Sequence, residues 1–303
     1  MTAPREVLPA STAMVTRRCT QRQFLLRPDE KTNAIFAYCL AEAAMRFDVG
    51  VIAWTVMSNH YHAVIYDRHG RAPAFAEHLH KMVAKVFNVR WEREENFWSS
   101  AETSITYLRT AEDIFRKVVY VLSNPVTADL VDRLADWPGS SSLQHPPGTQ
   151  TTERRPSLYF RRNGTMPETV ELQTMLPRVV LERESAESWH ARVREALAEK
   201  EEAARQARLR EGRGIMGRKE VLRASPFDSP KTKPPRGRLR PTLAAKDREL
   251  RIAELRRLAA FRLAYREARK RFLSGDRDAE FPVGTYRMRL LGARCAEPIP
   301  IAA

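Results

Sequence analysis

Val56-Met57-Ser58-Asn59-His60-Tyr61-His62-Ala63-Val64-Ile65 reads as a β-hairpin: an apolar run, a Ser-Asn turn and a second apolar run. Side chains alternate faces along a strand. His60 and His62 therefore share one face with Val64 and Tyr66, while Tyr61, Ala63 and Ile65 point the other way, into a core. Two imidazoles side by side on one strand are the beginning of a divalent-metal site. The alternative is two polar residues on the solvated face of a half-buried strand, and spacing alone does not separate the two.

Outward from the hairpin, the flanking segments keep one rhythm. Residues 14–26 read as a first strand with a wet face. Pro28-Asp29 opens a helix, with Asp29 as N-cap. Its apolar stripe runs through Ile35, Phe36, Cys39, Leu40, Ala43 and Phe47, and Gly50 ends it. Val51–Val56 is the second strand and His60–Tyr66 the third. A second helix begins near Pro73 and buries Phe75, Leu79, Met82, Val83 and Val86. Its His78 and His80 are two apart on a helix, so they do not share a face and read as structural or solvent-facing. Glu102–Leu108 is a fourth strand. Thr110-Ala111-Glu112-Asp113 is a capping box for a third helix, and Val126–Leu134 reads as a short further one. The order β-α-β-β-α-β-α predicts an α+β fold, an antiparallel sheet with helices packed on it.

Of the 303 residues, 43% are hydrophobic, enough for a globular core. The apolar runs are too short for a membrane span, and the first dozen residues lack the order of a signal peptide. Cys19, Cys39 and Cys295 are scattered, which suits a reducing compartment, so a cytoplasmic protein with no membrane partner is expected. Residues 1–145 hold 17 Lys and Arg against 16 Asp and Glu, a net of +1, so the other 158 residues carry +14 of the chain's +15. A basic extension on a near-neutral domain points to a polyanion, most often nucleic acid. The expected layout is a domain over 10–142, a linker or irregular stretch over 143–181, in which Leu158–Leu176 is ambiguous and leaves room for a short strand, and a basic helical extension over 182–303. Within the extension, Glu182–Glu211 and Lys246–Phe272 read as charged helices, and the Pro/Gly-rich stretch 212–242 as mobile. Phe281–Arg287 shows no assignable chemistry.

The stretch Val119-Tyr120-Val121-Leu122-Ser123-Asn124-Pro125 supplies a partner for the histidines. Positions i and i+4 lie on one helix face, so Arg116, Tyr120 and Asn124 form a stripe rotated from the core stripe of Ile114, Val118 and Val121. Arg116 is placed to hold a phosphate, and the Asn124 amide oxygen to act as a third metal ligand. Tyr120 also reads as an ordinary packing aromatic. Asn124-Pro125 also makes an N-cap and first-residue pair for a further helix, which the local pattern favours.

Taken together, SNHYHAVI and YVLSNPVTADLV resemble the paired-histidine and tyrosine-helix motifs of the HUH single-tyrosine transposases, in the form found in REP-associated tyrosine transposases. The resemblance covers residues 10–142. It implies a ferredoxin-like sheet and a DNA-nicking and rejoining enzyme active in transposition and recombination. It implies His60 and His62 as ligands of Mg²⁺ or Mn²⁺, with Asn124 where the family often has a polar third ligand, and Tyr120 as the nucleophile that forms a 5′-phosphotyrosine link. Tyr61 departs from the usual aliphatic middle residue, on the face away from the metal. The implied partner is single-stranded or hairpin DNA, with the choice between monomer and homodimer open. Candidate DNA contacts are Arg17, Arg18, Arg116, Lys117, Arg161 and Arg162, with Trp91, Trp98 and the patch Arg154-Arg155…Tyr159-Phe160 as base-stacking candidates. The competing readings are a non-catalytic single-stranded nucleic-acid-binding protein derived from such an enzyme, a His-X-His-X-His phosphoryl transferase, which Val64 at the third position disfavours, and a transcription factor, for which no helix-turn-helix pattern stands out.

Overall fold

The computed structural model describes residues 4–158, 164–232 and 241–297. Four strands and two helices come first in chain order: β1 (Ser11–Arg18), α1 (Glu30–Phe47), β2 (Val49–Met57), β3 (His60–Asp67), α2 (Ala72–Arg90) and β4 (Ser104–Leu108). The strands lie in the order β2-β3-β1-β4, every neighbour antiparallel. This is the ferredoxin-like β-α-β-β-α-β arrangement. Ala13, Val15, Tyr61, Ala63 and Ile65 pack under α1 and α2 on one face. Met14, Ile52, Ala53 and Val64 pack on the other, under α3 (Ala111–Thr127). The hairpin therefore divides as its alternation requires: Tyr61 is fully buried, and its hydroxyl meets His80 Nε2 at 2.7 Å. His78 meets Glu42 Oε2 at 2.5 Å. Both helical histidines are structural.

Local chemistry explains most of the boundaries. The Asp29 carboxylate accepts from Thr32 N at 2.8 Å and starts α1. Asp48, in the left-handed region at φ 51°, ends it, two residues before the expected Gly50. Gly50 instead lies in β2, where a Cβ would run into Met175 Sδ. A register shift between Val51 and Ala53 turns both Ile52 and Ala53 toward α3, the signature of a β-bulge. The first strand is shorter than expected. It ends at Arg18 because the chain then bends through Gln21 and Arg22, both left-handed.

The third helix departs from expectation at its end. Thr110 and Asp113 form the capping box, but α3 runs on through Pro125 to Thr127, and no separate helix starts at Val126. Proline removes one amide donor, here the one that would reach the Val121 carbonyl, and in the last turn that loss is small. Asn124 is thus inside a helix, not an N-cap.

Several described elements beyond residue 142 pack back onto the sheet domain. The stretch 143–181, expected as an irregular linker, contains a hairpin of β5 (Gln150–Arg154) and β6 (Thr169–Gln173), and Val170 and Leu172 join the α1 side of the core. After α4 (Arg178–Leu181), α5 (Ala186–Glu211) lays Trp189, Val193 and Leu197 against α3. Helix α6 (Arg218–Arg223) falls in the stretch expected to be mobile. β7 (Leu243–Ala244) adds a parallel edge beside β4, and α7 (Arg248–Leu273) and α8 (Arg287–Leu290) complete the order. Phe281 is fully buried with Tyr265 and Phe272, so the tail that lacked chemistry is packing. No helix among the described residues is long and apolar enough to cross a membrane.

Candidate functional site

The α3 face of the sheet carries the paired histidines at the start of β3. His60 is half-buried, His62 is 5% exposed, and their ring centroids lie 4.8 Å apart, edge to face. Thr16 on β1 and Thr55 on β2 flank His62 in the ladder. Thr16 Oγ1 stands 2.6 Å from His62 Nδ1, and Asn59 Oδ1 stands 2.6 Å from His60 Nδ1. Both Nδ1 atoms are therefore engaged within the protein, and neither Nε2 atom has a hydrogen-bond partner among the described residues. Partners of this kind orient metal-binding imidazoles.

Burial holds the His60 imidazole down, to about 4, with Arg18 adding to it. His62 is held well below the ordinary histidine range, first by burial, then by His60 and Lys117. Both rings are neutral at pH 7, which is the ligand form of histidine.

Tyr120 brings α3 to this pair. Its ring sits 5.4 Å from the His62 ring, edge to face, yet the side chain is 45% exposed. A packing tyrosine on a core helix would be covered; this one lies against the buried histidine and faces solvent. Lys117 Nζ lies 5.2 Å from the Tyr120 ring centroid. Burial, then Arg116, holds Lys117 below the usual lysine range. Arg116 is exposed one turn before Tyr120. Asn124, one turn after it, is 8% exposed, and its side-chain amide makes no hydrogen bond among the described residues. Among those residues no three His, Cys, Asp or Glu side chains come together as a metal cage. The donor set is thus two neutral imidazoles amid the cations Arg18, Lys117 and Arg116, with no carboxylate. That composition fits a divalent ion that is shared with a phosphate.

Other candidates fall elsewhere. Arg17 alternates to the opposite face, where its guanidinium meets Thr103 Oγ1 at 2.6 Å and Ser99 O at 3.3 Å; it belongs to the core side, not to the histidine face. Trp98 is 8% exposed, with Nε1 donating to His80 O, and cannot stack on a base. Trp91 is tied by Nε1 to Leu25 O, and Arg90 covers its ring. Arg155 donates to Met166 O. Arg161, Arg162, Tyr159 and Phe160 lie outside the described residues. Sequence reading missed Thr16 and Asn59. Thr16 is 46 residues from His62, and only strand register pairs them. Asn59 gave a local signal as the turn residue just before His60.

No protein-family profile matches the sequence, and no curated protein matches it. Among solved structures, a REP-associated tyrosine transposase bound to a REP hairpin is similar at 17% identity and a TM-score of 0.41, over 54% of this chain and 99% of that one. A protein of Deinococcus radiodurans R1, provisionally assigned as a transposase, is similar at 14% identity and a TM-score of 0.30, over 41% of this chain and 97% of that one. Likenesses this distant say nothing about chemistry.

Proposed function

We propose that this chain cleaves and rejoins single-stranded DNA through Tyr120, as a nuclease–ligase of the HUH single-tyrosine transposase type. The observation that carries the reading is the half-exposed Tyr120 ring set against His62 at 5.4 Å, with His60 beside it. A half-exposed phenol set against one buried and one half-buried neutral imidazole supports this reading over a purely packing role.

In this reading His60 and His62 would hold the ion, and the Asn124 amide, one turn from Tyr120, would be the third protein donor. Bound there, Mg²⁺ or Mn²⁺ would polarise the scissile phosphate and offset its developing charge. Arg116 and Lys117 hold the flanking phosphates on the nucleophile's own helix. The Tyr120 oxygen attacks phosphorus, the bond to the 3′ oxygen breaks, and the product is a 5′-phosphotyrosine with a free 3′-hydroxyl. The phenol proton leaves to solvent, and the departing 3′ oxygen takes one up. The phosphodiester is conserved in the tyrosyl link, so the reverse attack by a 3′-hydroxyl rejoins DNA without a nucleotide cofactor. The phosphate has to reach a tyrosine lying over a sheet face, which favours unpaired strands or hairpin ends over duplex.

The test is a denaturing gel with a panel of labelled single-stranded and hairpin DNAs, with Mg²⁺ or Mn²⁺. The expected result is a covalent protein–DNA band that requires the metal and disappears in Tyr120→Phe and His60→Ala. DNA that is bound across the panel but never trapped would favour the non-catalytic binding protein.

A further inference from the structure

The turn that carries His60 is held from outside the hairpin. Met57 pairs with His60, so Ser58 and Asn59 form a two-residue connection. Neither has a positive φ, although two-residue hairpins favour the primed turns that need one. The turn is fixed instead by the loop after β1. Leu26 N donates to Ser58 O at 2.9 Å, and Cys19 N donates to Asn59 O at 2.8 Å. That loop contains Gln21 and Arg22 at φ 46° and 62°, a left-handed conformation that non-glycine residues keep only where the surrounding structure imposes it. The bend presents the Arg22 carbonyl to the Asn59 side chain, whose Nδ2 donates to it at 3.1 Å.

This hydrogen bond settles a proton. A carbonyl oxygen has nothing to donate, so the amide nitrogen of Asn59 must face Arg22 and the amide oxygen must face His60 Nδ1. The amide oxygen has no proton either. The proton between Asn59 Oδ1 and His60 Nδ1, atoms 2.6 Å apart, therefore belongs to the imidazole. A neutral imidazole carries one N–H, so Nε2 is left with its lone pair. Thr16 cannot impose this on His62, because a hydroxyl gives or accepts.

We propose that Asn59, oriented by the Arg22 carbonyl, is a positioning residue that fixes His60 as the Nδ1–H tautomer and so aims the Nε2 lone pair into the site. The use of that lone pair as a metal ligand rests on the function proposed above; the tautomer does not.

The full chain labelled with ¹⁵N-histidine, at pH 7.5 without metal, reads the tautomer directly from two-bond proton–nitrogen correlations. Titration with Mn²⁺ alone, followed by calorimetry, reads the ligand. Wild type is expected to show His60 as Nδ1–H with bare Nε2. Asn59→Ala is expected to move the proton toward Nε2 and to weaken Mn²⁺ binding about 10–100-fold. Asn59→Asp, which keeps an acceptor at Nδ1, is expected to restore the tautomer. Nε2–H in wild type overturns the proposal at once, whether or not the alanine variant folds. An unchanged tautomer in Asn59→Ala overturns it as well. A tautomer that switches as expected, in a wild type that binds no Mn²⁺, upholds the role of Asn59 and sinks the metal reading.

Discussion

At the scale of the residue, Tyr120 and the buried imidazoles make different demands on the protein. Tyr120 is 45% exposed, so Tyr120→Phe is expected to shift stability by no more than about 0.5 kcal/mol while removing all covalent adduct. Denaturant unfolding beside the gel separates the two effects, and a large loss of stability would mark the tyrosine as a packing residue after all. The imidazoles act on pH. His60 is held down to about 4 and His80 to about 3, both chiefly by burial, and His62 is also held low. In the unfolded chain histidine titrates near about 6.5. The unfolded state therefore takes up protons first as pH falls, and the stability these rings contribute is complete above pH ~6.5 and drains away as pH falls toward the folded values, about 4 for His60 and about 3 for His80. Thermal melts at pH 7.5 and 5.0, the latter still above the carboxylate range, are expected to show a lower Tm at 5.0. An unchanged Tm would mean that the rings are solvated in the fold.

At the scale of the element, the position of α3 decides whether there is a site. One side of α3 lies on the sheet through Ile114, Val118, Val121 and Leu122, and α5 packs along another side, leaving Arg116 and Tyr120 exposed. Phe115 meets Trp189 at 5.5 Å, and the Arg192 guanidinium lies 4.0 Å from the Phe115 ring centroid. Arg208 pairs with Asp132, and Glu201 accepts from Leu134 N, just beyond the helix. The extension thus braces the helix that carries Tyr120. Trp189→Ala is expected to cost about 3–5 kcal/mol, as for a buried aromatic. It is also expected to speed amide exchange in α3 around Val118–Leu122. Faster exchange confined to α5 would show that α3 holds its place without the brace.

At the scale of the whole molecule, the charge is divided but the fold is not. Part of the net +14 beyond residue 145 lies on α7, which is tied to the residues of the sheet domain by ion pairs. Arg109 joins Glu254 at 2.7 Å and Arg257 joins Glu6 at 2.6 Å. Arg248, Arg256 and Lys270 are exposed on α7. If DNA runs over that helix, replacing all three with Gln lowers the salt dependence of single-strand binding. The slope of log K against log salt is expected to fall by about 0.7 for each phosphate that the variant no longer neutralises. An unchanged slope in a fluorescence-anisotropy titration would put the DNA path elsewhere.

Much of this was legible in the chain. Strand alternation sent His60 and His62 one way and Tyr61 the other. The i, i+4 rule put Arg116, Tyr120 and Asn124 on one stripe, and Thr110 announced its capping box. Period and capping are local properties, written in neighbours along the sequence. The sequence could not say that Pro125 stays inside α3, because a proline that starts a helix and one tolerated in a last turn leave the same local trace. It left room for a short strand within Leu158–Leu176 but could not pair it into the β5–β6 hairpin, whose apolar content is little more than Val170 and Leu172. Nor could it show that Trp98 and Arg17 are spent on the core side of the sheet. Only the tertiary structure brought Tyr120 against His62, set Thr16 beside His62 and turned the Arg22 carbonyl toward Asn59. Those pairings join segments far apart in the chain, and sheet register and helix docking, not any nearby residue, determine which atoms meet.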